Sequence, residues 1–307
     1  MAAFESPQVL VLGGGGVLGE AWMAAVLAGL AEASSFDARG CDAFVGTSAG
    51  AIVATALSAG VEPGARLGEL PEQPPVAGAE VTDDGGLLAR ALDLAFAAGR
   101  GAAAPLALFG LRATEASGAL LRKAALSRVP TGRRSLDGLG RQLELAGARW
   151  DGRLSLAAVE LESGRRVMFG LPSAPQASIA AAVEASCAIP GVFRPVVVAG
   201  RSYVDGGAWS PTNMDRAPVD RGTRVLCLNP TGSLRGNIAA PLGVIGLLSR
   251  SVAGVEALAL ERKGARVTTV SPDDASVAAI GTNLMNPRRR SRVIAAGVSQ
   301  GRALGGR

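Results

Sequence analysis

Val9-Leu10-Val11-Leu12-Gly13-Gly14-Gly15-Gly16-Val17-Leu18-Gly19 and Asp42-Ala43-Phe44-Val45-Gly46-Thr47-Ser48-Ala49-Gly50 carry one pattern twice. In each, a short apolar run enters a glycine-bearing turn, and a helix of small and aliphatic residues follows. Val9–Leu12 has no polar position, which suits a parallel strand buried on both faces better than a half-exposed one. Leu18–Glu32 and Ala49–Ala59 read as the two helices. Strand, turn and helix repeated in that order mark an α/β chain built on a mainly parallel sheet.

Working outward, Leu154–Leu161 and Arg166–Gly170 alternate as strands around the turn Glu162–Arg165. Ser178–Ser186 has helical spacing. Val196–Ala199 and Ser202–Val204 form a hairpin across Gly200-Arg201, and Val225–Leu228 is another buried strand. Leu242–Arg262 is a long helix, Val267–Val270 the last strand, and a helix around Arg292–Gly305 closes the chain. The region 62–150 departs from this rhythm. It opens rich in Pro, Gly and Glu, then shows helical spacing at Gly86–Ala98 and Thr114–Leu126 around the link Arg100–Pro105. Two uses fit it: ordinary core packing, or a helical cap over an apolar site. With no internal repeat and no dividing linker, residues 1–307 are expected to form a single domain.

Composition narrows the function. Hydrophobic residues are 48% of the 307 and charged residues 19%, enough apolar material for one large core and too little charge for disorder. Net charge is +5, almost all of the positive charge being arginine, since lysine occurs only at Lys123 and Lys263. Aromatic residues are 4%, too few for the stacking platforms of single-strand nucleic-acid binders, so no nucleic-acid partner is expected. Residues 1–8 lack the basic start of a signal peptide, and no apolar run reaches the ~18 residues of a membrane span. A cytoplasmic protein is expected, with contact at a membrane surface at most. Arg288-Arg289-Arg290 with Arg292 reads either as a solvated helix start or as a contact for anionic headgroups.

The chain contains no histidine. That count removes Ser–His–Asp and Cys–His mechanisms together, and most zinc sites. Cys41, Cys187 and Cys227 form neither a CxxC pair nor a disulfide framework and read as small core residues.

Three motifs remain. Gly46-Thr47-Ser48-Ala49-Gly50 is a GxSxG pentapeptide, in which a serine on a sharp strand-to-helix turn exposes its hydroxyl. Gly46 and Gly50 let strand and helix approach closely, and the helix beginning at Ala49 directs its positive end toward developing negative charge. In a chain with 42 glycines the pentapeptide alone is weak; the apolar strand before it and the small-residue helix after it supply the context. The second motif, Gly13-Gly14-Gly15-Gly16-Val17-Leu18-Gly19, exposes backbone N–H groups to an anion. It matches the dinucleotide pattern GxGxxG, but the following strand ends in Gly46-Thr47-Ser48 rather than in the acidic residue that would hold a ribose. Gly14, Gly15 and Gly16 therefore read as an oxyanion hole. The third is Val204-Asp205-Gly206-Gly207, an aspartate at a strand end before two glycines. With no histidine available, Asp205 is left to take the proton of Ser48, and burial must raise its basicity.

In this order the three motifs resemble those of the patatin-like phospholipase family, and so do Ala185-Ser186-Cys187-Ala188-Ile189-Pro190-Gly191-Val192-Phe193 and Pro211-Thr212-Asn213. The resemblance covers residues 8–215 in motif terms, with 62–150 unmatched. It implies a three-layer α/β/α sandwich and hydrolysis of acyl esters of lipids through Ser48 as nucleophile and Asp205 as base, with no cofactor and no metal. The expected partner is a lipid or fatty-acyl ester substrate. One position departs from the pattern: members often carry Arg or Lys two residues after the third glycine of the loop, where this chain has Leu18. That weakens the expectation of phospholipids while leaving ester hydrolysis intact. Two other readings stay open: a lipid-binding scaffold of the same fold without turnover, and a dinucleotide-dependent oxidoreductase.

Overall fold

The computed structural model describes residues 5–68, 115–233 and 241–306. Eight strands form one sheet: β1 (Val9–Leu12), β2 (Ala43–Thr47), β3 (Leu154–Glu160), β4 (Arg166–Phe169), β5 (Val196–Val198), β6 (Arg201–Asp205), β7 (Arg224–Leu228) and β8 (Arg266–Val270). Neighbours in the run β8-β7-β1-β2-β3 are parallel, whereas β4, β5 and β6 add antiparallel pairs at one end.

The register around β3 positions the site. Leu156 and Ala157 pair with both β2 and β4, while Ala158 and Val159 pair with both β4 and β6. A strand has two hydrogen-bonding edges. β4 therefore runs along one edge of β3, and β2 and β6 divide the other end to end. Thr47 lies opposite Ala157 and Asp205 opposite Ala158. Because β2 is parallel to β3 and β6 antiparallel, their C-terminal ends meet head-on.

Helices cover both faces. Leu10, Leu12, Phe44 and Leu156 pack against α1 (Gly16–Ala33), α2 (Ala49–Ser58), α5 (Ile179–Cys187) and the closing α8 (Arg290–Gly305). Val9, Val11, Val45 and Cys227, which point the other way, pack against α6 (Pro241–Glu261) through Ala253 and Leu260. This is a three-layer α/β/α sandwich, and a sheet covered on both faces is what removes polar positions from its central strands.

Local chemistry explains the helix starts. Ser178 accepts from Ala181 N–H at 3.1 Å to cap α5, and Asp273 accepts from Ser276 N–H at 2.8 Å to cap α7 (Asp274–Ile280). By length and composition α1 could cross a membrane, but here it is a core helix buried from Leu18 to Leu30. Its buried Glu20 pairs with Arg66 at 2.6 Å and Arg290 at 3.2 Å. Trp22 donates to Gln300 of α8 at 2.9 Å.

Of the 62–150 region, residues 69–114 lie outside the described residues, and with them the helix expected at Gly86–Ala98 and the link Arg100–Pro105. Two α-helices of the region are described, α3 (Glu115–Leu126), within the expected Thr114–Leu126, and the short α4 (Leu139–Leu145), which no sequence expectation covered. Leu126 of α3 packs on Val159, Val204 and Trp209, and the Arg122 guanidinium lies 3.7 Å from the centre of the Trp209 ring. The described part of the insertion thus sits against the strand that ends in Asp205.

Candidate active site

Ser48 stands between β2 and α2 with φ 53° and ψ −120°, a left-handed conformation that a residue bearing a Cβ rarely adopts. The turn is held from two sides: Ser48 N–H donates to Ser186 Oγ of α5 at 2.9 Å, and Ala51 N–H donates to the Ser48 carbonyl at 2.8 Å. Close approach of β1 to the start of α2 makes the second glycine obligatory. A Cβ at Gly50 falls 1.9 Å from the Leu12 carbonyl oxygen, and both contacting groups are backbone. Gly50→Ala is expected to cost about 3 kcal/mol, the upper end for an overpacked core. Urea unfolding of the two proteins measures it.

Asp205 ends β6, where its own N–H is tied to the Ala188 carbonyl at 2.9 Å. Its carboxylate accepts from Gly207 N–H at 2.7 Å and lies near enough to the Ser48 hydroxyl for that group to lower its pKa. Ser48 and Asp205 are both buried. Burial dominates the titration of Asp205 and pushes its pKa up to about 6, against the opposing pull of the Ser48 hydroxyl and Gly207 N–H. A carboxylate raised this far is a stronger base than an exposed one, and it is still ionised at neutral pH.

The glycine loop lies beside Ser48. A Cβ at Gly14 would fall 3.5 Å from the Ser48 Cβ, in ordinary contact, so the loop runs directly alongside the serine. The expected set of three oxyanion donors needs one correction. Gly14 N–H is committed to the Pro211 carbonyl at 2.8 Å, just as Gly13 N–H is committed to that of Leu228 at 2.9 Å. Gly15 and Gly16 lead into α1, where the first-turn amides have no intrahelical acceptor. Among the described residues neither of these amides has an acceptor, which leaves two donors for an oxyanion.

The remaining motif positions collect around the same point. Gly206 turns the chain aside where β6 meets β2, since a Cβ there falls 2.4 Å from the Ala157 carbonyl oxygen. Thr47 is fully buried next to Ser48, and its hydroxyl donates to the Thr212 carbonyl at 3.4 Å. Ser186, which fixes the Ser48 amide, had no role assigned from sequence. The quoted motif Ala185–Phe193 contained it, but nothing in a run of small residues distinguishes a buried hydroxyl that faces a neighbouring turn.

Burial raises the pKa of all three thiols, that of Cys41 to about 12, so none is a thiolate at neutral pH. Among the described residues no group of three or more Cys, Asp and Glu side chains is close enough to hold a metal ion.

Comparison with known proteins bears on this geometry. The family model described as patatin-like phospholipase matches residues 10–73 and 110–218. Among solved structures, VipD from Legionella pneumophila is 17% identical, with 99% of this chain and 67% of that one covered and a TM-score of 0.44. The type III effector protein ExoU is 16% identical, with 99% of this chain covered and a TM-score of 0.42. The match spans 53% of the ExoU chain, about half its length. No curated protein matches.

Proposed function

Since this chain belongs to the patatin-like phospholipase family and is thereby a lipid acyl-hydrolase in kind, we propose that it cleaves carboxylic esters of lipids through Ser48 and Asp205 by way of an acyl-enzyme. The observation that carries the reading is the meeting of the β2 and β6 ends on β3, at Ala157 and Ala158, which brings Ser48, on a strained turn, beside the buried Asp205 carboxylate.

In the first half-reaction Ser48 Oγ attacks the ester carbonyl and Asp205 takes the hydroxyl proton. Negative charge developing on the carbonyl oxygen is met by the N–H groups of Gly15 and Gly16 and by the start of α2. Collapse of the tetrahedral intermediate breaks the bond to the alcohol oxygen, which leaves with the proton held by Asp205. In the second half-reaction water enters, Asp205 takes its proton, and the hydroxide attacks the acyl-enzyme. The fatty acid departs, Ser48 recovers its proton, and the dyad is restored. No cofactor takes part. Leu18 places an aliphatic side chain where many members have a cation, which favours neutral acyl esters over phosphate-bearing lipids in this reading.

Two measurements test it. A fluorophosphonate is expected to add one equivalent, mapped by peptide mass to Ser48; an unlabelled protein without ester hydrolysis ends the reading. Vesicle binding in that same protein would point to a lipid-binding scaffold. The rate of p-nitrophenyl ester hydrolysis is expected to follow the ionised fraction of Asp205. It is low below pH 5, half-maximal near pH 6 where the carboxylate titrates, and level above pH 7. An acid limb centred near pH 4 would show a carboxylate that burial does not perturb.

A further inference from the structure

The head-on meeting of β2 and β6 leaves a gap in the sheet at the most demanding place. Both strands bond to β3, at Ala157 and Ala158, and among the described residues no strand pairing joins them to each other. What crosses the gap is the side chain of Asn213. It is fully buried, and its Nδ2 donates to Ser210 O at 2.7 Å, Thr47 Oγ1 at 3.0 Å and Gly206 O at 3.3 Å. Thr47 immediately precedes Ser48, and Gly206 immediately follows Asp205. One amide group therefore ties the residue before the nucleophile to the residue after the base.

The amide is held in that orientation by a second side chain. Asn213 Oδ1 accepts from Arg166 Nη1 at 3.1 Å, and Arg166, on β4, is itself fixed by paired hydrogen bonds of 2.7 Å to both oxygens of Asp215. A guanidinium donates and never accepts, so the oxygen of the amide must face Arg166 and the nitrogen must face the dyad. The turn that carries Asn213 is anchored by α6 as well. Glu256 of α6 accepts from Thr212 Oγ1 and, at 3.1 Å, from Met214 N–H.

We propose that Asn213, oriented by Arg166, is a positioning residue that sets the distance between Ser48 and Asp205, an inference that rests on the reading of those two residues as the dyad. It touches no reacting atom. It acts through Thr47 and Gly206, and a small displacement of either strand end lengthens the proton-transfer contact on which attack depends.

Asn213 has φ 49°, a conformation that Gly and Asp also tolerate, so two substitutions separate the clasp from the backbone. Asn213→Gly keeps the turn and deletes the amide. Asn213→Asp keeps the shape but sets an acceptor against the Ser210 and Gly206 carbonyls. Each is expected to lower kcat by ~10- to 100-fold with KM within ~2-fold, and to slow fluorophosphonate labelling in parallel. Thr47→Val is expected to do the same, and Thr47→Ser to recover most of the loss because it restores the oxygen. In the pair Asn213→Gly with Thr47→Val the losses should not multiply, since both remove one contact.

Melting curves accompany every variant. Should Asn213→Gly fail to fold, the Thr47 variants and Arg166→Lys, which keeps the charge but loses the fork, carry the test. If Asn213→Gly keeps kcat within ~2-fold, or its loss multiplies with that of Thr47→Val, the positioning role is overturned while a labelled Ser48 leaves the dyad standing. A wild-type protein that neither labels nor hydrolyses overturns both.

Discussion

Replacing Ser48 by Ala is expected to reduce ester hydrolysis at least ~10⁴-fold and to abolish fluorophosphonate labelling, with KM little changed for any residual activity. The size follows from what the oxygen does. With no histidine in the chain, the proposed mechanism makes the hydroxyl both the attacking atom and the proton donor to Asp205. Cys41, Cys187 and Cys227 are buried with raised pKa values and offer no substitute. What remains in the variant is the pair of glycine amides and the bound geometry, which in other serine hydrolases sustain only a small residue of the rate.

The same position tests the strain in the turn. At φ 53° and ψ −120° any residue with a Cβ is held off its preferred backbone conformation, so Ser48→Gly should be more stable than Ser48→Ala by about 1–2 kcal/mol although both are inactive. Urea unfolding of the two variants decides it. Equal stability would mean that the turn stores nothing.

Asp205→Asn should lower hydrolysis ~10³-fold or more and yet raise stability at neutral pH. The amide cannot take the Ser48 proton, but it keeps an oxygen to accept from Gly207 N–H, now 2.7 Å from the carboxylate. The stability gain has a definite dependence on pH. Burial raises the carboxyl pKa from 3.8 to about 6, so the folded state holds this proton more tightly than the unfolded chain does. The stabilisation by proton binding is complete below about pH 4 and is lost as pH rises through 6. Each unit is worth about 1.4 kcal/mol, so wild type carries a penalty on the order of 3 kcal/mol above pH 7 that Asn does not. The two proteins should differ least near pH 4, and the gap should open between pH 4 and 7. A constant gap across that range would show that Asp205 does not titrate from a buried, raised pKa. The residue proposed as the base therefore weakens the fold at the pH where the mechanism needs it ionised.

The arginine run at 288–290, read from sequence as either a solvated start or a lipid contact, begins a helix over the glycine loop. Leu284 O accepts from Leu18 N–H at 3.0 Å just before it, and Arg290 is drawn into the pair with Glu20. Its partly buried third member is structural, a role that charge counting along the chain cannot distinguish from a solvated one.

The parallel strands, the two strand–turn–helix units and the nucleophile turn were legible in the chain itself because each depends on interactions between near neighbours. An apolar run of four residues needs cover on both faces wherever it lies. Gly46 and Gly50 state how closely strand and helix approach before any partner is known. The absence of histidine excluded whole classes of mechanism without reference to shape. Contacts between distant segments were different in kind. That Asp205 meets Ser48 depends on β2 and β6 sharing one edge of β3, and no periodicity encodes which edge a strand takes. Gly14 loses its amide to Pro211, and Asn213 acquires three acceptors, through chain crossings that local pattern does not record. The basicity of Asp205 is likewise a property of its surroundings, since desolvation is the sum of everything packed around a group and belongs to no stretch of sequence.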